Sequence, residues 1–146
     1  MTDQIVCTAC GAINRLPPER DPIAAKCGGC GARLFAGEPA DVTADMLLRQ
    51  IGKGTIPVVV DIWAPWCGPC RFMAPEYGKA ARALEPKLRF LKLNSDNEQA
   101  YAATLGIRGI PTMLLFRDGR EADRVSGAMT ASQIEAWLAP RLGPAA

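Results

Sequence analysis

The cysteines come in three Cys-x-x-Cys pairs, Cys7/Cys10, Cys27/Cys30 and Cys67/Cys70, and none of the six is left over. Four crowd the first 30 residues and two stand alone in a long apolar segment, so the spacing implies two chemistries rather than one disulfide framework. In "WAPWCGPC" the last pair follows a strand-like run and opens a helical pattern. That places Cys67 at a helix start and Cys70 on the same side, one turn deeper. Free first-turn amides and the helix dipole favour a thiolate at Cys67 and make it the attacking nucleophile, with Cys70 as the resolving thiol. Gly68 and Pro69 keep the turn tight, and Pro69 is tolerated because first-turn N–H groups have no helical acceptor. Trp63 and Trp66 bracket the pair with apolar surface, one packed beneath it and the other beside a protein substrate.

The early cysteines form two Cys-x-x-Cys-Gly knuckles, Cys7–Gly11 and Cys27–Gly31. Glycine after each pair lets the backbone fold back so that N–H groups reach the sulfurs, which suits one tetrahedral zinc held by Cys7, Cys10, Cys27 and Cys30. Such a closed site leaves no position for water or substrate and is structural. Two disulfides, uncommitted thiols, or iron in the same tetrahedron are the competing readings. Residues 1 to about 34 offer few large apolar side chains, mainly Ile5, Val6, Ile13, Leu16, Ile23 and Leu34. These cannot offset roughly 1.5 kcal/mol of ordering entropy per residue, so the head needs a staple. Structural zinc, at ~10–16 kcal/mol, would supply it.

Both sites need elements to position them, and the chain divides near residue 35. Residues 44–53 read as a modest amphipathic helix, and "IPVVVDI" at 56–62 as a central strand covered on both faces, with Pro57 at its beginning. A helix follows from Gly68 to Leu84, kinked near Pro75 and closed by Pro86. "LRFLKLN" at 88–94 is a second buried strand, and Asp96 or Asn97 caps a short helix through Thr104. Asp118-Gly119 joins "TMLLF" to "EADRVS" as an antiparallel hairpin. Thr130 and Gln133 form a capping box for a last helix carrying Ile134, Trp137 and Leu138. The class is α/β, a mixed sheet with helices on both faces. Asp61 interrupts the apolar run. Buried near Cys70 it would have a raised pKa and take the proton from that thiol; turned to a wet face or a backbone cap, it would have no chemical part.

At 49% hydrophobic and 22% charged, the 146-residue chain is globular rather than disordered, and its net charge of +2 argues against a nucleic-acid partner. Arg15, Arg20, Lys26 and Arg33 read as a solvated face, since Asp3, Glu19 and Asp21 nearly cancel them. No run reaches the ~18 apolar residues of a membrane span, and the first thirty residues lack an export signal's apolar core, so the expected location is the cytoplasm.

Residues 56–137 resemble the thioredoxin family in "VDIWAPWCGPC", "KLN" at 92–94, "GIRGIPT" at 106–112, the Asp118-Gly119 hairpin and Gly127. The resemblance implies the thioredoxin fold, with the family's nucleophile at Cys67, resolving cysteine at Cys70, buried carboxylate at Asp61 and cis-proline at Pro111. It also implies that Ile110 offers backbone groups to an extended substrate peptide, bordered by Trp66, Gly68, Pro69, Gly109, Gly127 and Ala128. Arg71 stands where the family usually has lysine and keeps its charge, and "FAGEPA" makes a poor first strand, which shortens that edge. With its knuckles, "NRLP" at 14–17 and "LF" at 34–35, the whole chain resembles the zinc-containing thioredoxin 2 subgroup. The implied organisation is a zinc-ribbon-like domain over 1–35 and a thioredoxin domain over 36–146, with one zinc and no organic cofactor. The implied activity is reduction of disulfides in protein substrates, recharged by an NADPH-dependent thioredoxin reductase. The alternative is a zinc-dependent binding or holdase module that clasps unfolded proteins; activity surviving loss of both Cys67 and Cys70 would favour it.

Overall fold

The computed structural model describes residues 1–142. Residues 143–146, the end of the expected 36–146 segment, lie outside the described residues. In the head, β1 (Asp3–Val6) and β2 (Ile13–Leu16) pair antiparallel, Asp3 opposite Leu16 and Val6 opposite Ile13. A two-residue strand, β3 (Ala40–Asp41), and helix α1 (Ala44–Lys53) lead into β4 (Val58–Trp63). Then come α2 (Gly68–Leu84), β5 (Arg89–Asn94), α3 (Gln99–Thr104), β6 (Thr112–Arg117), β7 (Arg120–Ser126) and α4 (Ala131–Leu138). A 3₁₀ turn, Ala139–Leu142, takes in Pro140.

Among the described residues the larger sheet has five strands in the order β3-β5-β4-β6-β7. β4 is central, parallel to β5 and antiparallel to β6. Its unbroken apolar run is explained by burial on both faces. Val59, Phe90, Met113 and Leu115 pack under α2 and α4 against Met73, Tyr77, Ile134 and Leu138. Val58, Val60, Ile62, Leu91, Leu93 and Leu114 pack on the opposite face with Leu47 of α1 and Tyr101 of α3. Alternation along β4 therefore puts Asp61 on the same face as Val59, under α2.

Local signals act as their chemistry predicts. Thr43 caps α1 by accepting the Met46 N–H, and at its other end a Cβ on Gly54 would come 2.7 Å from the Gln50 carbonyl, so only glycine fits. Asp118 and Gly119 take φ of 54° and 79°, the doubly left-handed turn that matches the twist of a tight hairpin. The capping box of Thr130 and Gln133 is complete on both sides. One expectation changes. Helix α3 begins at Gln99 with Glu98 as its cap residue, not Asp96 or Asn97, because Asn94 captures the Asp96 N–H in a turn (2.9 Å). The edge strand is shortened as expected, to the two residues of β3, paired parallel to Leu91 and Lys92.

The head lies against the larger sheet. Ile5, Cys7, Leu16, Ala25, Cys27, Leu34 and Phe35 form its core, and Ile56 packs on it from the chain leading into β4. Ile13 and Ile23 are exposed, so the head's own apolar side chains supply even less core than their number suggests. The Thr55 N–H donates to the Gln4 carbonyl while the Thr55 hydroxyl accepts the Gln4 N–H, and Arg49 Nε donates to the Gly11 carbonyl.

Candidate functional site

Cys67 is the N-cap of α2, and its sulfur accepts the Cys70 N–H at 3.1 Å. An N-cap takes a negative group readily, because the first-turn amides and the helix dipole both point at it. The two cysteines are joined as a disulfide with Cα atoms 5.2 Å apart. Both are buried, in a small cluster with Ala64 against which Trp63 and Ile110 pack. They differ in access: Cys67 lines an open groove of about 650 Å³ and Cys70 does not. Trp66 stands 67% exposed on the rim, its indole N–H donating to Asp96 at 3.1 Å, while Trp63 packs beneath the pair.

Asp61 is buried, and neither of its carboxylate oxygens has a hydrogen-bond partner among the described residues. Desolvation pushes its carboxyl up to about 7, against the pull of Lys92, whose ammonium sits 4.6 Å from the Trp63 ring centroid. A carboxyl poised near neutrality and aimed under α2 has the properties of a proton acceptor. Tyr77 shares this face, its hydroxyl donating its one proton to the Leu91 carbonyl (2.7 Å), with the Val59 carbonyl also within reach (3.1 Å).

In the head, the four early cysteines converge until their sulfurs all lie within 4.8 Å of one another. Cys7 and Cys30 sulfurs are 3.7 Å apart, and those of Cys10 and Cys27 are 3.6 Å apart. Four ligands tetrahedrally placed at ~2.3 Å from zinc have edges of ~3.8 Å, so both the spacing and the all-sulfur donor set fit that metal. The knuckles are near copies: Cys7 and Cys27 accept the N–H of Gly11 and Gly31 at 2.8 Å, and both glycines have φ of 79°. Those glycine amides close each turn onto a carbonyl, and the fold-back expected from the sequence brings other N–H groups to sulfur, that of Gly29 lying 3.3 Å from the Cys27 sulfur. The Asn14 side-chain amide, with the Cys30 and Gly29 N–H groups, holds the Cys27 thiol down to about 6, while against the pull of the Ala12 backbone the contact with the Cys27 sulfur pushes the Cys10 thiol up, so that of this pair Cys27 gives up its proton first.

Comparison with known proteins gives this geometry a family. The family described as Thioredoxin matches residues 38–140, and the one described as Thioredoxin 2, N-terminal, matches residues 6–32. The chain belongs to the thioredoxin family. It is 35% identical to thioredoxin C-3 of Corynebacterium nephridii over 138 residues, 94% of each chain. It is 44% identical to thioredoxin of Pseudomonas aeruginosa over 99 residues, 67% of this chain and 91% of the relative. A crystal structure of Malassezia sympodialis thioredoxin (Mala s 13) superposes with a TM-score of 0.67 at 31% identity, covering 75% of this chain and 95% of that one. The chain is thus a thiol-disulfide oxidoreductase of thioredoxin fold, with a redox-active Cys67–Cys70 pair and a four-cysteine cluster capable of binding a metal ion. Among the described residues no helix is long and apolar enough to cross a membrane.

Of the residues expected to border a thioredoxin substrate, Trp66, Gly68, Pro69, Gly109 and Ile110 line the groove with Cys67. The Ile110–Pro111 peptide is cis, and the Ile110 carbonyl lies 3.7 Å from the Cys67 sulfur. Gly127 donates its N–H to the Pro111 carbonyl (2.9 Å), but neither it nor Ala128 lines the groove. Sequence reasoning missed the far wall, made by Gln99, Ala102 and Ala103 of α3 with Ile107 and Arg108. The signal was faint: two adjacent alanines on a helix, the smallest side chains that leave a groove open. Arg15, Arg20, Lys26 and Arg33 are exposed, as a solvated face requires. Arg71 is also exposed, donating to the Pro65 carbonyl at 3.2 Å.

Proposed function

We propose that the chain is a general protein-disulfide reductase in which Cys67 attacks and Cys70 resolves. The difference in access carries this reading: the Cys67 sulfur caps α2 at the groove, while Cys70 sits one turn deeper and away from it. An extended client segment docks along Trp66 and the Gly109-Ile110-Pro111 turn, with Gly127 and Ala128 beyond the cis-proline. The Cys67 thiolate attacks one client sulfur, forming a mixed disulfide and expelling the other sulfur as a thiolate. Asp61 takes the proton of Cys70. The resulting thiolate attacks Cys67, releases the second client sulfur and leaves Cys67–Cys70 oxidised. An NADPH-dependent thioredoxin reductase returns the two electrons, and the cytoplasm is the compartment where such a dithiol stays reduced.

The same proposal makes residues 1–35 a zinc-ribbon-like domain and residues 36–146 the redox domain. Cys7, Cys10, Cys27 and Cys30 hold one zinc ion, whose full set of sulfur ligands confines it to a structural part. Cys67→Ser should abolish reduction of a disulfide-bonded protein such as insulin, whereas Cys70→Ser should attack once and accumulate as a mixed disulfide. Gel mobility under non-reducing conditions and intact mass would show it. Equal trapping by both single variants would overturn the assignment.

A further inference from the structure

Dithiol exchange makes no use of Arg89, yet the fold buries it to 3% exposure. It opens β5, and its guanidinium reaches into the head: Nη1 donates to the Leu34 carbonyl at 2.7 Å and Nη2 to the Val6 carbonyl at 3.1 Å. The guanidinium also lies over the Phe35 ring, 4.4 Å from its centroid. The two carbonyls come from opposite ends of the head. Val6 immediately precedes the ligand Cys7, and Leu34 follows the second knuckle. Gln50 Nε2 meets the same Val6 carbonyl from α1 at 3.0 Å.

An isolated buried cation is costly, and breaking its pairing costs more than replacing it with an apolar side chain. Here two charge-assisted hydrogen bonds and the face of Phe35 offset part of that cost. Four thiolates around a divalent ion leave net negative charge, and the ligands Cys7 and Cys27 belong to the same packed cluster as Leu34 and Phe35. Burial pulls the Arg89 guanidinium down, and the nearby Glu85 carboxylate opposes that pull.

We propose that Arg89 is a clamp coupling metal occupancy of the four-cysteine site to docking of the head on the redox domain, through the Val6 and Leu34 carbonyls. With metal bound, the knuckles hold both carbonyls where one planar fork can span them. With metal gone, the knuckles loosen, the acceptors leave, and the guanidinium turns out to water. Arg89 touches backbone on either side of the ligands and not the metal, so it is a positioning residue. The inference rests on the zinc reading above.

Native mass spectrometry separates the two ideas at the start, because wild-type protein that never carries zinc overturns the zinc reading itself. In zinc-loaded protein, Arg89→Met should release metal to a chromogenic chelator on the order of tenfold faster, the usual scale for loss of an outer partner. It should also speed amide exchange at residues 3–6 and 34–35. Arg89→Lys should recover part of the zinc retention, since the charge remains, but not the exchange protection, since one ammonium cannot span both carbonyls. A reciprocal measurement needs no variant: phenylglyoxal with mass mapping should label Arg89 slowly in loaded wild type. After chelation it should label at the rate of the exposed Arg20. Wild-type zinc release and exchange in Arg89→Met, or equally slow labelling of Arg89 before and after chelation, would overturn the clamp.

Discussion

At Asp61 two carboxylate oxygens face the interior without a hydrogen-bond partner among the described residues, and the physical consequence is a stability that depends on pH. Unfolded, this carboxyl loses its proton near its ordinary 3.8; folded, it keeps it to about 7. Between those values folding takes up a proton, so stability falls as pH rises through the window and levels off above about 7. Asp61→Asn lacks the titration and should gain on the wild type from about pH 4 upward, the difference levelling near ~4 kcal/mol, one pKa unit being 1.36 kcal/mol. The same variant should slow resolution of the mixed disulfide. Urea unfolding of the oxidised proteins across ~pH 4–9, with single-turnover reduction kinetics, measures both effects. A stability difference constant over that range, with an unchanged rate, would make Asp61 a bystander. At this scale the cysteines were legible because spacing alone defines their chemistry. The face of Asp61 needed the strand pairing, since alternation in a strand buried on both sides does not say which side is polar. The part played by Arg89 was not legible: at the start of a strand read as buried, a lone charged residue gives no sign of the second body that covers it.

Helix α2 shows what one element does for the site. Its first turn presents Cys67 and Cys70, and three turns on, its fully buried Tyr77 is tied to β4 and β5 through the Val59 and Leu91 carbonyls. Tyr77→Phe keeps the ring and its edge contact with Phe90 but removes the one hydroxyl proton that lies between the two strand carbonyls. The expected cost is about 1–3 kcal/mol, seen as a lower urea midpoint with unchanged slope and undiminished redox activity at 25 °C. An unchanged midpoint would mean that the strand carbonyls are satisfied without the hydroxyl. Elements with paired start and stop signals were read from sequence to within a residue or two: α1, α2, α4 and the β6–β7 hairpin. Those decided by tertiary contact were not. Asn94 turns the chain before α3 can start at Asp96, and β3 exists because β5 offers it a parallel partner over two residues.

For the molecule as a whole, the arrangement of the cores supports the proposed division into two folding units. The clusters on the two faces of the large sheet contain no residue before Ala40, and the head's cluster borrows Ile56 as its packing partner from beyond Phe35. The sequence suggested this division through a shift in apolar content near residue 35, but the fork from Arg89 and the bond from Gln50 join pieces more than forty residues apart and left no local trace. Removal of metal should therefore act unequally. The head, with Ile13 and Ile23 exposed and two of its seven core residues belonging to the four-cysteine cluster, should lose protection over residues 3–34. The redox domain should persist, because its sheet is covered by α1, α2, α3 and α4, and because Arg89, freed from the head, regains water instead of remaining buried and unpaired. Hydrogen exchange of chelated and zinc-loaded protein should show the amides of β1, β2 and the knuckles exchanging at once while those of β4 and β6 stay protected. Equal loss of protection in the head and in β4 would mean that the chain is a single cooperative unit and that the metal stabilises all of it.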